Sequence, residues 1–316
     1  MSKQLKNVPE IFSSSQRSKN YVAILPQMND FHEKCKEFFT PALSSIYDTV
    51  KKCMLLPLCT SLCRILSRSL SKMHAGAYLE KREDESSFVE RNINPVLENI
   101  ASIHIAQLPN DYSAFIANRV CRYCINSFVS NVALIRPLEE ESRLLVTQDL
   151  ADIELGLEQF ILHCGSTISL SSIGNGQPYK ELRAMRNLLF WDNFRGNEKL
   201  SSEICRGLIN EPWAMNLRTS TITNFLHSFA PTLLSSPHES KNIKIHEYVE
   251  KFLVPVDEYF EDDSGETTNW VITAGCCDAF RQRESALSST NNEIGDKRVP
   301  DVLMQLGQEL SRRKKL

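Results

Sequence analysis

The sequence is poor in the residues that form sheets and tight turns. Its 316 residues include 11 glycines and 13 prolines, and aromatic residues make up 8%. These contents do not suit the turn-dense chain of a β-sandwich or barrel. Neither sign of charge dominates, since 36 Lys and Arg residues stand against 39 Asp and Glu residues, a net charge of −3. The overall charge therefore does not point to a nucleic-acid-binding protein.

Long apolar runs and export signals are also missing. The most apolar stretch, Cys53 to Cys59, is seven residues long and contains Pro57. A membrane-spanning helix needs about 20 apolar residues, so we expect none. The N-terminus has neither a signal-peptide run nor the Met-Gly start of a myristoylated protein. Ten scattered cysteines and the lack of an Asn-x-Ser/Thr acceptor favour reduced thiols in the cytosol.

Helical periodicity is what the sequence does contain. Hydrophobic residues make up 42% of the chain, enough for a sizeable core. Apolar residues recur at three- and four-residue steps from Pro41 to Met73, where Pro57 should kink or divide the helix. Ser87 and Glu90 fit a capping box, and Pro95 predicts a helix restart at Asn94. Further helices are predicted at 111–135, 140–163 with Gly165 as a C-terminal cap, 178–190, 219–229, 240–254, 267–283 and 300–313.

The fold class expected from this pattern is all-α. Helix lengths are uneven and no internal repeat is found, so we expect an irregular stack of helical bundles instead of a regular solenoid. The predicted organisation is a helical, partly mobile segment at 1–40, a helical bundle at 41–165, a Ser- and Gly-rich linker at 166–177 and a C-terminal helical bundle at 178–316.

Cys121 and Cys124 form a single Cys-x-x-Cys, to which Cys59 and Cys63 could add a second pair. A structural zinc site needs four such ligands. Cys59 and Cys63 lie one turn apart on an apolar helical stripe, however, and free cysteine is among the most buried residue types. We therefore interpret these four residues as core thiols. A redox role is not favoured either, since Cys121 and Cys124 fall in the middle of a predicted helix.

Asp262, Asp263 and Glu266 match the Asp-Asp-x-x-Glu with which all-α isoprenoid enzymes hold magnesium diphosphate. The acidic groups would have to lie one helical turn apart, but Ser264-Gly265 between them favours a solvated loop. Neither a zinc-protease motif, a phosphate-binding loop nor a nucleophile elbow is present. The sequence thus predicts no catalytic, cofactor-binding or metal site, and no enzyme.

Two basic stretches could contact anionic lipid. One consists of Lys51, Lys52, Arg64, Arg68 and Lys72 beside an apolar stripe. The other is the tail at 312–315, where each charge could contribute about 1 kcal/mol near a membrane surface. A solvated helix face is the interpretation that we favour for both stretches.

Three segments resemble a known family. Ala133-Leu134-Ile135-Arg136-Pro137-Leu138, followed by an acidic helix at 149–155, is similar to the C-terminal region of the subunit 5 family of the conserved oligomeric Golgi complex. Phe229-Ala230-Pro231, with Ser236-Pro237-His238 after it and Tyr248 and Phe252-Leu253 beyond, is a second match. Leu70-Ser71-Lys72-Met73-His74 is a third. The resemblance spans roughly 41–308, but Glu139-Glu140-Glu141 replaces small residues of the family and Phe252 replaces its Trp.

The resemblance implies that the stack of helical bundles is elongated, a helical rod of the tethering-complex type. It also implies a non-catalytic scaffold subunit of a Golgi vesicle-tethering complex, acting in intra-Golgi retrograde transport. It further implies subunit 7 as the main partner, with subunits 6 and 8 in the same lobe. The location implied is peripheral, on the cytosolic face of the Golgi membrane. The rival hypotheses are a scaffold subunit of another tethering complex, or a magnesium-dependent isoprenoid enzyme. Neither the resemblance nor the residues assign a partner-binding surface.

Overall fold

A computed structural model describes residues 19–76, 78, 86–166, 168–192, 194, 199–231, 233–256, 275–279, 281–282 and 297–313. Across these ranges the secondary structure is helical and contains no strand, which confirms the predicted all-α class. The chain divides into two compact units, one up to Pro57 and one from Leu58 onward.

The first unit consists mainly of one long helix. Helix α1, Lys19–Val50, continues into a single π-helical stretch, Lys51–Leu55. The change in helical geometry comes directly before Pro57, which lacks a backbone N–H for an ordinary helical bond. Pro57 is the second residue of the following helix, Leu56–Leu70, and the helical run continues through it from Asp30 to His74. The expected division is therefore a change of helical type just before Pro57 and not a break.

The second unit is built from shorter helices. They are α2 (Leu56–Leu70), α3 (Phe88–Asn92), α4 (Asn94–Asn99), α5 (Asn110–Val132), α6 (Glu140–His163), α7 (Gln177–Phe190), α8 (Ser201–Asn210), α9 (Thr219–Leu226), α10 (Ile245–Tyr248) and α11 (Val299–Arg313). Single 3-10 or π-helical turns extend several of them, at Ser71–His74, Ile100–Ile105, His227–Phe229 and Val249–Leu253.

Helices α5 and α6 provide much of the core of the second unit. On α5 the buried side chains include Ile116, Val120, Ile125, Phe128 and Val132, and on α6 they include Val146, Leu150, Ile153, Leu157 and Phe160. Close packing extends to a glycine, since a Cβ atom at Gly156 would come within 2.2 Å of the Asn94 side chain. The absence of a side chain at Gly156 therefore lets α4 and α6 approach each other.

Most predicted helix boundaries hold. The capping box is present, because Glu90 N donates to Ser87 Oγ and Ser87 N donates to Glu90 Oε2, each at 3.1 Å. The restart at Asn94 and the helix Glu140–His163 are confirmed. Gly165 has a positive φ of 64°, as the C-terminal cap of a helix requires.

Three predictions need correction. The expected helix at 240–254 is broken, because Asn242 adopts a left-handed conformation and the segment divides into a 3-10 turn, α10 and a π-helical turn. The stretch expected as a loop at 166–177 contains the 3-10 helix Leu170–Gly176. Helix α8 was not predicted from the sequence. Of the helix expected at 267–283, the described residues 275–279 and 281–282 are helical.

One helical run, Asp30–His74, passes a length-and-composition test for a membrane-crossing helix, although the sequence led us to expect none. Of its most apolar window, 44% is buried inside the protein. Leu62, Leu66 and Leu70 on α2 are at most 1% exposed. Such burial is what the core helix of a folded unit shows, so the composition of this run alone does not indicate a membrane span.

Candidate functional site

The chain turn that follows α5 is fixed by Arg136. Its Nη2 atom donates to the carbonyl oxygens of Pro231 and Leu234, both at 2.6 Å, and of Ala230 at 3.3 Å. Because a charged donor to several carbonyls is stronger than a neutral hydrogen bond, Arg136 holds the chain after Phe229 against the end of α5. Two of the three segments that carry the family resemblance are therefore in direct contact.

The third segment reaches the same place through His74. Its Nε2 atom lies 2.9 Å from Asn131 Oδ1, and Asn131 Nδ2 donates to the Ser127 carbonyl at 2.7 Å. Burial lowers the pKa of His74 to about 4 against the opposing effect of this Asn131 contact, so the ring is neutral at pH 7. The turn that ends the α2 region is thus joined to α5.

These segments enclose a recess of about 580 Å³, which we call the Arg136 recess. It is lined by Met73, His74, Gly76, Tyr78, Leu134, Ile135, Arg136, Pro137, Glu139, Pro231, Ser236, His238, Glu239 and Ile245. The sequence could not place these residues together, because they come from parts of the chain more than 150 positions apart.

The polar side of the recess contains hydrogen-bonded charges. His238 Nδ1 lies 2.7 Å from Ser236 Oγ, and Glu239 accepts from Ser236 N at 2.8 Å. Burial lowers the pKa of His238, with Glu239 opposing the shift and Arg136 adding to it. Behind the recess, burial and then the charge of Arg136 lower the pKa of fully buried His227 to about 3. Both rings are therefore neutral at pH 7. The other ionisable side chains that line the recess are those of Arg136, Glu139 and Glu239.

A buried carboxylate on α6 contacts Tyr78, which lines the Arg136 recess. Asp149 is fully buried and accepts from Tyr78 Oη at 2.7 Å and from Val89 N at 3.0 Å. Ser142 Oγ donates to the Tyr78 carbonyl at 2.8 Å. Since Val89 lies in the first turn of α3, the carboxylate satisfies a backbone N–H that the helix itself cannot. Asp149 belongs to the resemblance segment, and its role here is to position α3.

A buried ion pair joins α7, α9 and α5. Glu181 accepts from Arg218 Nε at 2.8 Å, from Arg218 N at 3.1 Å and from Thr221 Oγ1 at 2.7 Å. Arg218 Nη2 in turn donates to the Asn126 carbonyl and to Ser130 Oγ. Sequence reasoning missed this pair, since Glu181 lies on a helix and Arg218 in a connection 37 residues later. No local pattern marks two such residues as partners.

The four cysteines considered for zinc are core residues. Cys59, Cys63, Cys121 and Cys124 are each 0% exposed and free. Burial raises the pKa of Cys59 and Cys124 to about 12, and it raises the pKa of Cys63 and Cys121 well above the usual value of a thiol. Thiols in this state are protonated at pH 7, whereas metal ligation and nucleophilic attack need the thiolate. Within the described residues, no group of His, Cys, Asp and Glu is arranged to hold a metal.

The other candidate site residues are either exposed or outside the part of the chain that the structure describes. Asp262, Asp263 and Glu266 lie outside the described residues, as do 314–316 of the basic tail. Lys52, Arg64, Arg68 and Lys72 are exposed, while Lys51 is half-buried. Arg64 and Arg68 lie one helical turn apart on α2, as their spacing predicted. Their exposure agrees with the interpretation of a solvated helix face.

The Arg136 recess holds a guanidinium engaged by three carbonyls, neutral imidazoles and the Glu239 carboxylate, which accepts from Ser236 N. Together with the all-helical fold, this arrangement defines the class: a helical protein with a recess at the junction of several helices.

Comparison with known proteins gives one informative similarity. The chain is 22% identical over 321 aligned residues to conserved oligomeric Golgi complex subunit 5 of Mus musculus. The alignment covers 97% of this chain and 34% of the mouse protein, so the chain spans about a third of the length of that relative. No family model matches the chain. No solved structure matches it either. At family level the similarity supports a helical protein of the tethering-complex type.

Proposed function

We propose that this chain is a non-catalytic scaffold subunit of a Golgi vesicle-tethering complex, acting in intra-Golgi retrograde transport. The observation that carries the proposal is the alignment with the Golgi subunit of mouse along 97% of the chain. An all-helical chain without an activated nucleophile among its described residues is in keeping with a role in binding. Its partners would be other subunits of the conserved oligomeric Golgi complex, subunit 7 above all, and subunits 6 and 8.

The mechanism proposed is physical. Helices held by caps and by buried ion pairs such as Glu181–Arg218 form a stiff support that presents exposed side chains to partner helices. The predicted division into bundles at 41–165 and 178–316, the elongated rod and the partner-binding surface are parts of this proposal. Attachment at the cytosolic face of the Golgi membrane would be peripheral. All ten cysteines are free, which suits a reducing compartment.

Reconstitution with purified subunits tests the function. The full chain is mixed with tagged subunit 7, and in parallel with subunits 6 and 8, and bound protein is measured after affinity capture and gel filtration. We expect co-elution with subunit 7. A Leu150→Asp variant, which should not fold, serves as the control that binding needs the folded chain. A chain that is folded by circular dichroism and binds none of the three subunits would contradict the proposal.

A further inference from the structure

Helix α6 is apolar on two opposite sides. One side contains Ile153, Leu157 and the other buried residues that form the core. On the other side Leu144, Leu155 and Leu162 are 58%, 54% and 72% exposed. At 3.6 residues per turn the three exposed leucines lie within about 20° of one another around the helix axis, and Ile153 lies opposite them. A surface helix ordinarily has charged and polar residues opposite its core-facing side, so α6 has more apolar surface than the core requires.

The neighbouring helix α7 has the ordinary arrangement. Its buried side includes Leu182, while its exposed side chains include Lys180, Arg183 and Asn187. Phe190 is one exposed apolar residue at the end of that helix, and single residues of this kind are normal on a protein surface. A row of exposed leucines along one helix is not, and apolar surface of this kind marks a site where another protein binds.

The exposed row on α6 has the spacing of a coiled-coil seam. Steps of four, three, four, three and four residues connect six exposed positions, which are Leu144, Gln148, Ala151, Leu155, Glu158 and Leu162. Positions that recur in this way stay beside a second helix along its whole length, because their mean spacing is 3.5 residues. The row is about 27 Å long at a rise of 1.5 Å per residue, so it is long enough for a partner helix of about five turns.

The exposed charges beside this row are acidic. Glu140 and Glu158 lie on one side of the leucines and Glu141 lies on the other, each about 40 to 60° away around the helix axis. None of the three forms an ion pair within the part of the chain that the structure describes. Two arginines of α7 approach α6, but they lie 3.9 and 3.8 Å from Glu154 instead. A helix that covers the row therefore meets acidic side chains along both of its edges.

We propose that the row from Leu144 to Leu162 binds a basic amphipathic helix of another protein. Apolar residues of that helix pack against the leucines of the row, and its flanking Lys or Arg residues pair with the exposed glutamates. A second copy of α6 fits less well, since this helix has six acids and one base, a net charge of −5, and two such helices repel each other. The inference rests on the proposed scaffold function for the kind of partner, a helical subunit, and adds the surface and the charge of that partner.

Two synthetic peptides test the charge of the partner. Both have leucine at the a and d positions of three heptads, one has lysine at the e and g positions, and the other has glutamate there. Fluorescence anisotropy at low salt should show that the full chain binds the lysine peptide at least about tenfold more tightly. The triple variant Glu140→Lys, Glu141→Lys, Glu158→Lys should prefer the glutamate peptide. A wild-type chain that binds neither peptide, or both equally, would overturn the proposal.

A substitution within the row separates the seam from general attraction between opposite charges. Leu155→Glu makes α6 more acidic but removes the central leucine, so the lysine peptide should bind at least about tenfold more weakly. Met215→Glu adds the same charge at a residue that is 77% exposed outside α6, and it should bind as wild type does. Circular dichroism should be unchanged in both variants. Binding by Leu155→Glu that equals or exceeds that of wild type would contradict a seam contact.

Light scattering after gel filtration tests the alternative of a second copy. Wild type and Leu155→Glu should have the same mass, and one copy has a mass of 36.0 kDa. A wild-type dimer that Leu155→Glu converts to a monomer would overturn the proposal in favour of a second copy. The peptides contain no sequence of a Golgi subunit, so their binding does not depend on subunit 7. If the peptides bind as expected and subunit 7 does not, the Golgi function is contradicted and the surface on α6 is not.

Discussion

Helices α1 and α6 have apolar residues at similar spacing, but these residues are exposed on α1 and buried on the core-facing side of α6. On α6, Leu150, Ile153 and Leu157 are each 0% exposed, while on α1 Phe38 is 74% exposed and Leu43 is 60% exposed. The second unit, from Leu58 onward, thus has a core of its own, whereas the apolar side chains described in the first unit are largely exposed. Apolar spacing therefore predicts a helix and which of its sides is apolar, but it does not predict which residues cover that side.

The largest effect is expected in the core of the second unit. Leu150→Asp places a charge where no partner or water is available, so the free energy of unfolding should fall by about 5 kcal/mol. Leu155→Asp on the same helix, at a side chain 54% exposed, is the matched control and should cost less than about 1 kcal/mol. Urea titration followed by circular dichroism measures both. Equal midpoints for Leu150→Asp and wild type would show that α6 is not a core helix.

The next largest loss of stability is expected when the Glu181–Arg218 pair is broken. Arg218→Ala leaves the carboxylate of Glu181, whose side chain is 3% exposed, without its main partner. Removing one member of a buried pair costs about 3 kcal/mol or more. Lys251→Ala breaks the exposed Lys251–Glu247 pair and should change stability by less than about 1 kcal/mol. If the two variants unfold at the same urea concentration, Arg218 does not hold α5, α7 and α9 together.

Acid should destabilise the second unit through its buried histidines. The pKa of His227 is about 3 in the folded chain and about 6.5 unfolded. Between these values the unfolded chain binds a proton that the folded chain does not, so stability is complete above pH 6.5 and falls as the pH is lowered. The contribution of His227 should fall by about 1.4 kcal/mol per pH unit, and His74 acts in the same direction down to about pH 4.

Urea titrations from pH 7 to pH 4.5 check this dependence. His227→Gln should flatten the pH dependence, while His163→Gln, at an exposed residue, should leave it as in wild type. An unchanged slope for His227→Gln would mean that this ring is not buried as described.

The smallest effect is expected on α1. Phe38→Ala removes a ring that is 74% exposed, so it should change stability by less than about 0.5 kcal/mol. Phe128→Ala removes a ring that is 0% exposed on α5 and should cost about 3 to 5 kcal/mol. Thermal melting of the two variants side by side measures the contrast between the units. Similar losses would mean that α1 is packed as tightly as α5.

Local signals predicted local structure well. The capping box at Ser87, the restart at Asn94 and the helix Glu140–His163 all follow from residues within one or two turns of each other. The failure at 240–254 has a local cause that composition does not reveal, namely the positive φ of Asn242. Asn is one of the few residues that adopts this conformation readily, so its presence was compatible with either outcome.

The candidate site was much less predictable. Arg136 and Pro231 were each noticed as parts of motifs, but their hydrogen bond joins residues 95 positions apart. Similarly, the partners of Asp149, Tyr78 and Val89, lie 71 and 60 positions before it in the chain. Such contacts depend on how helices pack, and a single sequence carries no local trace of that packing. The family resemblance identified the segments, and the structure brought them together around one recess.

Hydrogen exchange measured peptide by peptide tests the central contrast most directly. The full chain is labelled in deuterated buffer, and exchange is followed over time. We predict slow exchange in α5 and α6 and fast exchange in α1. Fast exchange in α5 and α6, or an α1 protected as strongly as they are, would contradict the view that the second unit has a core of its own and that the apolar side chains of α1 are exposed.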